Sequence, residues 1–255
     1  MGNPVQISGV IITYNEEKNI ERCINSLQDL VDEIVVVDSY STDDTKSICQ
    51  NLGIRFIEHN FEGHIEQKNF AMRQATHHYI LSLDADEMIS SRLKSSILEV
   101  KKNWDGDGYS VNRLNNYCGK WIRHSGWYPD RKIRLWDRRK GQSCGTNPHD
   151  KVELTDGKVQ FLKGDLLHYA YREVGEHIEQ INKFAIIAAE EAYLKGRKSN
   201  FLIHVVLNPW FKFFRKYFLQ LGFLDGYYGF VFCSVASVFN FFKYLRLKEL
   251  YKSKE

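Results

Sequence analysis

Tyr79-Ile80-Leu81-Ser82-Leu83-Asp84-Ala85-Asp86-Glu87 joins an apolar, strand-like run to three acidic side chains in four positions. Carboxylates at the end of a buried strand are costly unless positive charge neutralises them. A divalent cation carrying a phosphorylated ligand does so. Mg²⁺, and Mn²⁺ in a similar way, is held by few carboxylates, with substrate phosphates completing an oxygen shell. The plainer reading is a surface acidic turn capping a helix over residues 89–100. Ser90 and Ser91 could cap that helix anyway.

Upstream of this strand the chain alternates between β and α signals. Ile7–Thr13 is apolar and β-branched. Residues 16–27 place Ile20, Ile24 and Leu27 on one helical face. Residues 33–37 form a second apolar run. The polar stretch Asp38-Ser39-Tyr40-Ser41-Thr42-Asp43-Asp44-Thr45 then offers several N-caps for a helix through Ile48 and Leu52. Gly53 fits the end of that helix, residues 54–57 make a short third strand, and Ala71 and Ala75 lie on a third helix. Strands that are apolar on both faces and separated by helices predict an α/β, Rossmann-like fold, with a mostly parallel central sheet flanked by helices. Ligands of such sheets sit beyond the carboxyl ends of the strands, where Tyr14-Asn15, Asp38 and Asp84 to Asp86 all fall.

Residues 108–167 are irregular, strand-like and rich in Gly, Trp, Arg and His, which predicts mixed sheet and long loops forming the second wall of a cleft. Residues 173–194 have the spacing of an amphipathic helix, and the composition shifts beyond Asn200. The 255 residues suffice for one large α/β domain and an appendage. These signals divide the chain into a domain over residues 1–195 and a C-terminal, aromatic-rich helical region over 196–255. A net charge of +3 is too small to argue for nucleic acid, and no nucleic-acid-binding motif is present. Cys23, Cys49, Cys118, Cys144 and Cys233 are odd in number and scattered, which argues against a disulfide framework and a zinc site and fits a reducing cytoplasm. The segment from Met1 to Gln6 lacks the basic and apolar regions of a signal peptide, and Gln6 breaks a myristoylation signal.

Four segments carry a resemblance: Ser8-Gly9-Val10-Ile11-Ile12-Thr13-Tyr14-Asn15-Glu16-Glu17, Val35-Val36-Val37-Asp38-Ser39, Gln67-Lys68-Asn69 and Leu83-Asp84-Ala85-Asp86-Glu87. In this order they resemble family 2 glycosyltransferases of the GT-A fold. Gly126-Trp127-Tyr128-Pro129-Asp130-Arg131-Lys132-Ile133-Arg134-Leu135-Trp136 narrows the resemblance to the branch of bacterial lipopolysaccharide core β-glucosyltransferases. It implies transfer of a sugar, with inversion, from a nucleoside diphosphate to an acceptor hydroxyl. It also implies a Mn²⁺ or Mg²⁺ ion held by Asp86, with Asp84 and Ala85 beside it, to stabilise charge on the leaving diphosphate. Thr13, Tyr14, Glu16 and Asp38 would face the nucleoside, and Lys68 would sit near the donor. Read alone, Asp38 is a helix N-cap and Lys68 a solvated helix cation.

Inversion needs a general base on the acceptor side. The resemblance puts Asp150 of Pro148-His149-Asp150-Lys151 there, although the family pattern often has Glu. Asp130 is its rival, and a turn residue paired with Lys151 is the plainer reading of Asp150. His168, in Leu166-Leu167-His168-Tyr169, falls where GT-A enzymes often supply a histidine to the metal, while a lone His after an apolar pair is commonly structural. Arg131 and Arg134 offer planar forks to a diphosphate, although basic residues at 138–140 continue the run as ordinary surface charge.

The last quarter is dense in aromatic residues from Trp210 to Tyr244, with Lys212, Arg215 and Lys216 interleaved and further Lys and Arg from Lys243 onward. Residues 226–242 carry no charge but are shorter than the ~20 residues of a spanning helix. The pattern predicts helices lying on an anionic leaflet, with a helical lid or a dimer interface as the alternatives. The expected enzyme is a glycosyltransferase at the cytoplasmic membrane face, taking a nucleoside-diphosphate sugar (UDP-glucose by resemblance) and a lipid-linked or lipopolysaccharide-core glycan. A sugar nucleotidyltransferase would open with a glycine-rich phosphate loop where this chain has Tyr14-Asn15-Glu16-Glu17. A non-catalytic sugar-binding protein would tolerate loss of Asp86 or Asp150, and both are present.

Overall fold

The structure is a computed structural model that describes residues 4–146, 149–155 and 157–253; Pro148 of the segment carrying Asp150 lies outside them. The chain forms two compact units, Met1–Arg113 with Asp130–His168, and Leu114–Pro129 with Tyr169–Glu255.

The first unit begins with β1 (Ile7–Thr13), α1 (Ile20–Leu27), β2 (Glu33–Asp38), α2 (Thr45–Asn51), β3 (Arg55–Glu58), α3 (His64–Gln74) and β4 (Tyr79–Asp84). Their strands run parallel in the order β3-β2-β1-β4. Both faces are apolar because both are covered. Ile7, Ile11 and Val36 pack with Ile20, Ile24 and Leu27 of α1, whereas Val10, Val35 and Val37 turn to Ala71 and Met72 of α3. The two-residue period of the strands sorts these side chains. The buried residues of α1 (Ile20, Cys23, Ile24 and Leu27) follow the helical period.

The sheet continues with antiparallel strands: β5 (Glu87–Ile89), β6 (Gly108–Tyr117), β8 (Asp130–Asp137) and β11 (Val159–Tyr171), giving β4-β8-β6-β11-β5, with β7 (Lys120–Ile122) paired to β6. The expected parallel sheet is therefore the N-terminal half, and the irregular middle of the chain supplies the antiparallel half. A hairpin of β9 (Gly141–Thr146) and β10 (His149–Leu154) stands apart from it. After β5 comes α4 (Ser91–Lys102), whose Ser90 hydroxyl accepts from the Leu93 amide at 3.4 Å. Gly164 of β11 lies against that cap at φ +107°, and a Cβ there would stand 2.4 Å from the Leu93 nitrogen, so the position requires glycine.

The second unit holds β7, α5 (Val174–Leu194), α6 (Asn208–Phe214) and α7 (Gly226–Lys252), with wider, π-type helical turns at Phe201–Leu207 and Arg215–Leu219. Compactness assigns α5 to this unit, whereas the sequence placed the division at 195/196. Ala189 and Ala192 of α5 bury Leu247 of α7, so the helix shares its core with the C-terminal segment. A second cluster gathers Tyr117, Trp127, Tyr171 and Phe232; the Trp127 and Phe232 rings stack at 4.1 Å. Residues 222–252 form one helical stretch long and apolar enough, by length and composition, to cross a membrane. It is longer than the uncharged run because the helix continues through the basic residues that follow Phe242.

Candidate active site

The register of the parallel strands gathers the acidic strand ends. Thr13 pairs with Asp38, and Ile12 with Asp84. The loop after β1 is laced to the loop after β2. The Asn15 amide donates to Ser41 Oγ, the Glu16 amide to Thr45 Oγ1 and the Glu17 amide to Asp43. Asp38 is buried, and its carboxylate accepts from the Ser41 amide at 2.7 Å and the Ser41 hydroxyl at 2.5 Å, which sets the shape of that loop. Thr13 Oγ1 is buried with no hydrogen-bond partner, while Tyr14 is exposed.

Asp84 meets two cations. Lys68 of α3 lies 2.9 Å from Asp84 Oδ1, and Arg134 of β8 donates to Asp84 Oδ2 at 3.0 Å. Arg134 is there because β4 and β8 pair antiparallel, with Leu81 opposite Leu135. Burial alone would raise the Asp84 pKa, but Lys68 and Arg134 prevail and hold the carboxyl well below the usual carboxylate range. Arg134 in turn is pulled upward. Its burial opposes the charge, and Glu87 and Asp84 outweigh it.

Lys68 also reaches Asp150 Oδ2 at 2.9 Å, so one ammonium joins the strand-end carboxylate to the expected base. The neighbours of Lys68 explain how. Asn69 bonds both backbone groups of Ser143, at 2.8 and 3.0 Å, and so clips α3 to the hairpin that carries Asp150. Gln67 donates to Ser39 Oγ at 3.0 Å, linking α3 to the loop after β2. All three residues of Gln67-Lys68-Asn69 thus assemble the site.

A cavity of about 500 Å³ is lined by Lys68, Asp84, Arg134 and Asp150 together with Arg113, Arg131, Lys132, Ile133, Lys151 and Val152. Six of these are cations and two are carboxylates, a balance that suits an anionic ligand. Arg131 is exposed and lies over the Phe161 ring at 4.5 Å, while Arg134 is buried as the counter-ion of Asp84 and Glu87. Asp130, the rival base, is held by Arg113 at 2.7 Å.

Asp86 lies apart from these cations. Its Oδ2 is 3.1 Å from His168 Nε2, and its Oδ1 is buried with no partner. The pairing of β5 with β11 sets His168 opposite Glu87 and so beside Asp86. Among the described residues no cluster of three or more His, Cys, Asp or Glu could hold a metal ion. An unsatisfied carboxylate oxygen beside an imidazole nitrogen nevertheless fits two ligands of a Mn²⁺-like cation whose other positions go to phosphate and water. Asp84, expected near the cation, is here engaged by Lys68 and Arg134. Ala85 is buried between the two aspartates.

Two residues to which the sequence assigned no role complete the site. Glu87 is fully buried. It accepts from the Asp84 amide at 3.0 Å and pairs with Arg134 at 2.5 Å, with Arg113 at 3.8 Å. Arg113 carried no local signal, being one basic residue in a polar strand.

Residues 8–153 match the family described as glycosyl transferase family 2. The chain belongs to that family. An uncharacterized glycosyltransferase of Rickettsia typhi is 31% identical over 96% of this chain and 86% of its own. The lipopolysaccharide core biosynthesis glycosyltransferase LpsC of Rhizobium meliloti is 29% identical over 92% and 89%. Among solved structures, glucosyl-3-phosphoglycerate synthase from Mycobacterium tuberculosis, in complex with Mn²⁺, uridine diphosphate and glucosyl-3-phosphoglycerate, is 26% identical over 44% of each chain, with a TM-score of 0.37. As a family member, the chain is a glycosyltransferase that uses a nucleotide sugar.

Proposed function

We propose that this glycosyltransferase moves a hexose, with inversion, from a nucleoside-diphosphate sugar to a hydroxyl of a lipid-linked or lipopolysaccharide-core glycan. The observation that carries this reading is the bridge from Asp84 through Lys68 to Asp150 on the wall of the cationic cavity. It holds the strand-end carboxylate and the expected base on one ammonium, side by side at the wall of a single cavity. In this reading Asp150 takes the proton from the acceptor hydroxyl, and Arg131 and Lys68 face the diphosphate. Arg134 keeps Asp84 ionised and in place. Thr13, Tyr14, Glu16 and Asp38 form the nucleoside end. Asp86 and His168 would hold a divalent cation, with Asp84 behind them. When bound, the cation stabilises negative charge on the leaving diphosphate. UDP-glucose is the donor we favour, and the core-biosynthesis relative supports the acceptor class.

The exposed apolar side chains of residues 201–230 support peripheral contact with the inner face of the cytoplasmic membrane, where a lipid-linked acceptor would be met. A thermal-shift screen of nucleotide sugars with and without Mn²⁺ tests the donor assignment. One donor should raise the melting temperature more with Mn²⁺ than without. Asp86→Ala should abolish that increment and lower transfer by about a hundredfold or more. An increment that survives in Asp86→Ala would remove Asp86 from the metal site.

A further inference from the structure

The hairpin of β9 and β10 carries Asp150 and forms a two-stranded sheet of its own, so strand pairing does not fix where it stands against α3. At its base the Trp136 indole N–H donates to the Gly141 carbonyl at 3.1 Å. Val152 and Leu154 pack on the apolar cluster that holds Ala71 and Met72 of α3. Apolar packing is non-directional, so these contacts press the hairpin onto the helix without setting its register. Directional bonds set it.

Asn69 supplies two of them. Its side-chain amide donates to the Ser143 carbonyl at 2.8 Å and accepts from the Ser143 amide at 3.0 Å. Ser143 is buried and stands opposite Val152, two residues along β10 from Asp150. At the rise of an extended strand the clip lies about 7 Å from Asp150 along the chain. Lys68, the next residue on α3, cannot take over this duty. Its ammonium rides on a flexible four-carbon stem and is shared between Asp84 and Asp150, so it follows the carboxylate rather than placing it. The Asn69 amide is short and planar, and it holds backbone through both its nitrogen and its oxygen.

We infer that Asn69 is a positioning residue for transfer: by fixing the hairpin on α3 it sets the Asp150 carboxylate where the acceptor hydroxyl is deprotonated. The inference rests on the role proposed above for Asp150. A misplacement of about 1 Å can cost about a hundredfold in rate, so loss of the clip is read in turnover and not in donor binding.

The test is a double-mutant cycle on the full chain, with UDP-glucose and a lipopolysaccharide-core oligosaccharide as probes. Asn69→Ala should lower kcat by about tenfold to a hundredfold and leave the KM for UDP-glucose within about twofold. In the Asp150→Asn background the same change should cost less than about twofold, because the group it places is gone. Hydrogen exchange read by mass spectrometry should quicken by about tenfold or more in the peptide holding Ser143 and stay unchanged in β1 and β4. Asn69→Asp keeps an acceptor for the Ser143 amide and loses the donor to its carbonyl. It should lower kcat in the same way, and it carries the cycle if Asn69→Ala does not fold. A loss of equal size in both backgrounds, or one that appears in the KM for UDP-glucose, makes Asn69 a structural residue and overturns the inference. Unchanged exchange at Ser143 overturns it too. If Asp150→Asn turns over at the wild-type rate, the base assignment falls and takes the inference with it. If Asp150→Asn fails while Asn69→Ala keeps full turnover, the Asn69 role alone falls.

Discussion

Lys68 carries two carboxylates on one ammonium while only 7% exposed, and it sets the terms on which Asp150 can act. Burial works against its charge, but Asp84 and Asp150 hold it protonated, so the bridge persists across neutral pH. In the function proposed above, a donor diphosphate would compete for the same ammonium and loosen its hold on Asp150. Asp150→Asn is expected to lower transfer by about 10²–10⁴-fold with donor affinity, read by thermal shift, nearly unchanged. An unchanged transfer rate would place the base elsewhere. Asp86, Asp150 and His168 could be singled out because the residue types and their order match a known pattern. The roles of Glu87 and Arg113 could not, because these residues neutralise Arg134 and Asp130, and a counter-ion is defined by a partner distant in the chain. Asp38 shows the reverse. Its plain reading is a helix N-cap, but α2 begins at Thr45 behind Asp44, and the Asp38 carboxylate accepts instead from the Ser41 amide and hydroxyl of the preceding loop.

Helix α5 matches its expected span to within a residue because its apolar spacing is long and regular. The start of α1 was expected at Glu16. The helix begins at Ile20 because residues 15–17 give their amides to the 41–45 loop instead of starting a helical ladder. Within α5, His177 is buried, with its Nδ1 3.0 Å from the Tyr117 hydroxyl and its ring stacked on Tyr171 at 4.5 Å. Burial, with Lys216 nearby, lowers its pKa to about 4 from an ordinary 6.5. Between these values the unfolded chain binds the proton and the folded one does not. The stabilisation is therefore complete above the unfolded pKa and falls as pH drops toward the folded one, a span worth on the order of 3 kcal/mol. Urea unfolding followed by tryptophan fluorescence should show a lower midpoint at about pH 5 than at about pH 7. His177→Phe should flatten that difference, and an equal slope in both proteins would show that other groups carry it.

Across the whole chain, the division into units decides what can be removed. The sequence points to residue 195 as a natural end of the catalytic part. In the structure a cut after Leu194 would bare Ala189 and Ala192, which bury Leu247, and would strip Phe232 from Trp127. Such a fragment is expected to aggregate on size-exclusion chromatography. A monodisperse, donor-binding fragment would show instead that this core is dispensable. The parallel half of the sheet, the acidic strand end and the basic, aromatic tail were all determined by sequence alone, because each is a local periodicity or a local composition. Tertiary structure alone decided that His168 meets Asp86 and that Lys68 joins Asp84 to Asp150, contacts that close across as many as 82 residues. Strand register and the Asn69 clip bring those groups together, and neither leaves a trace in the residues nearby.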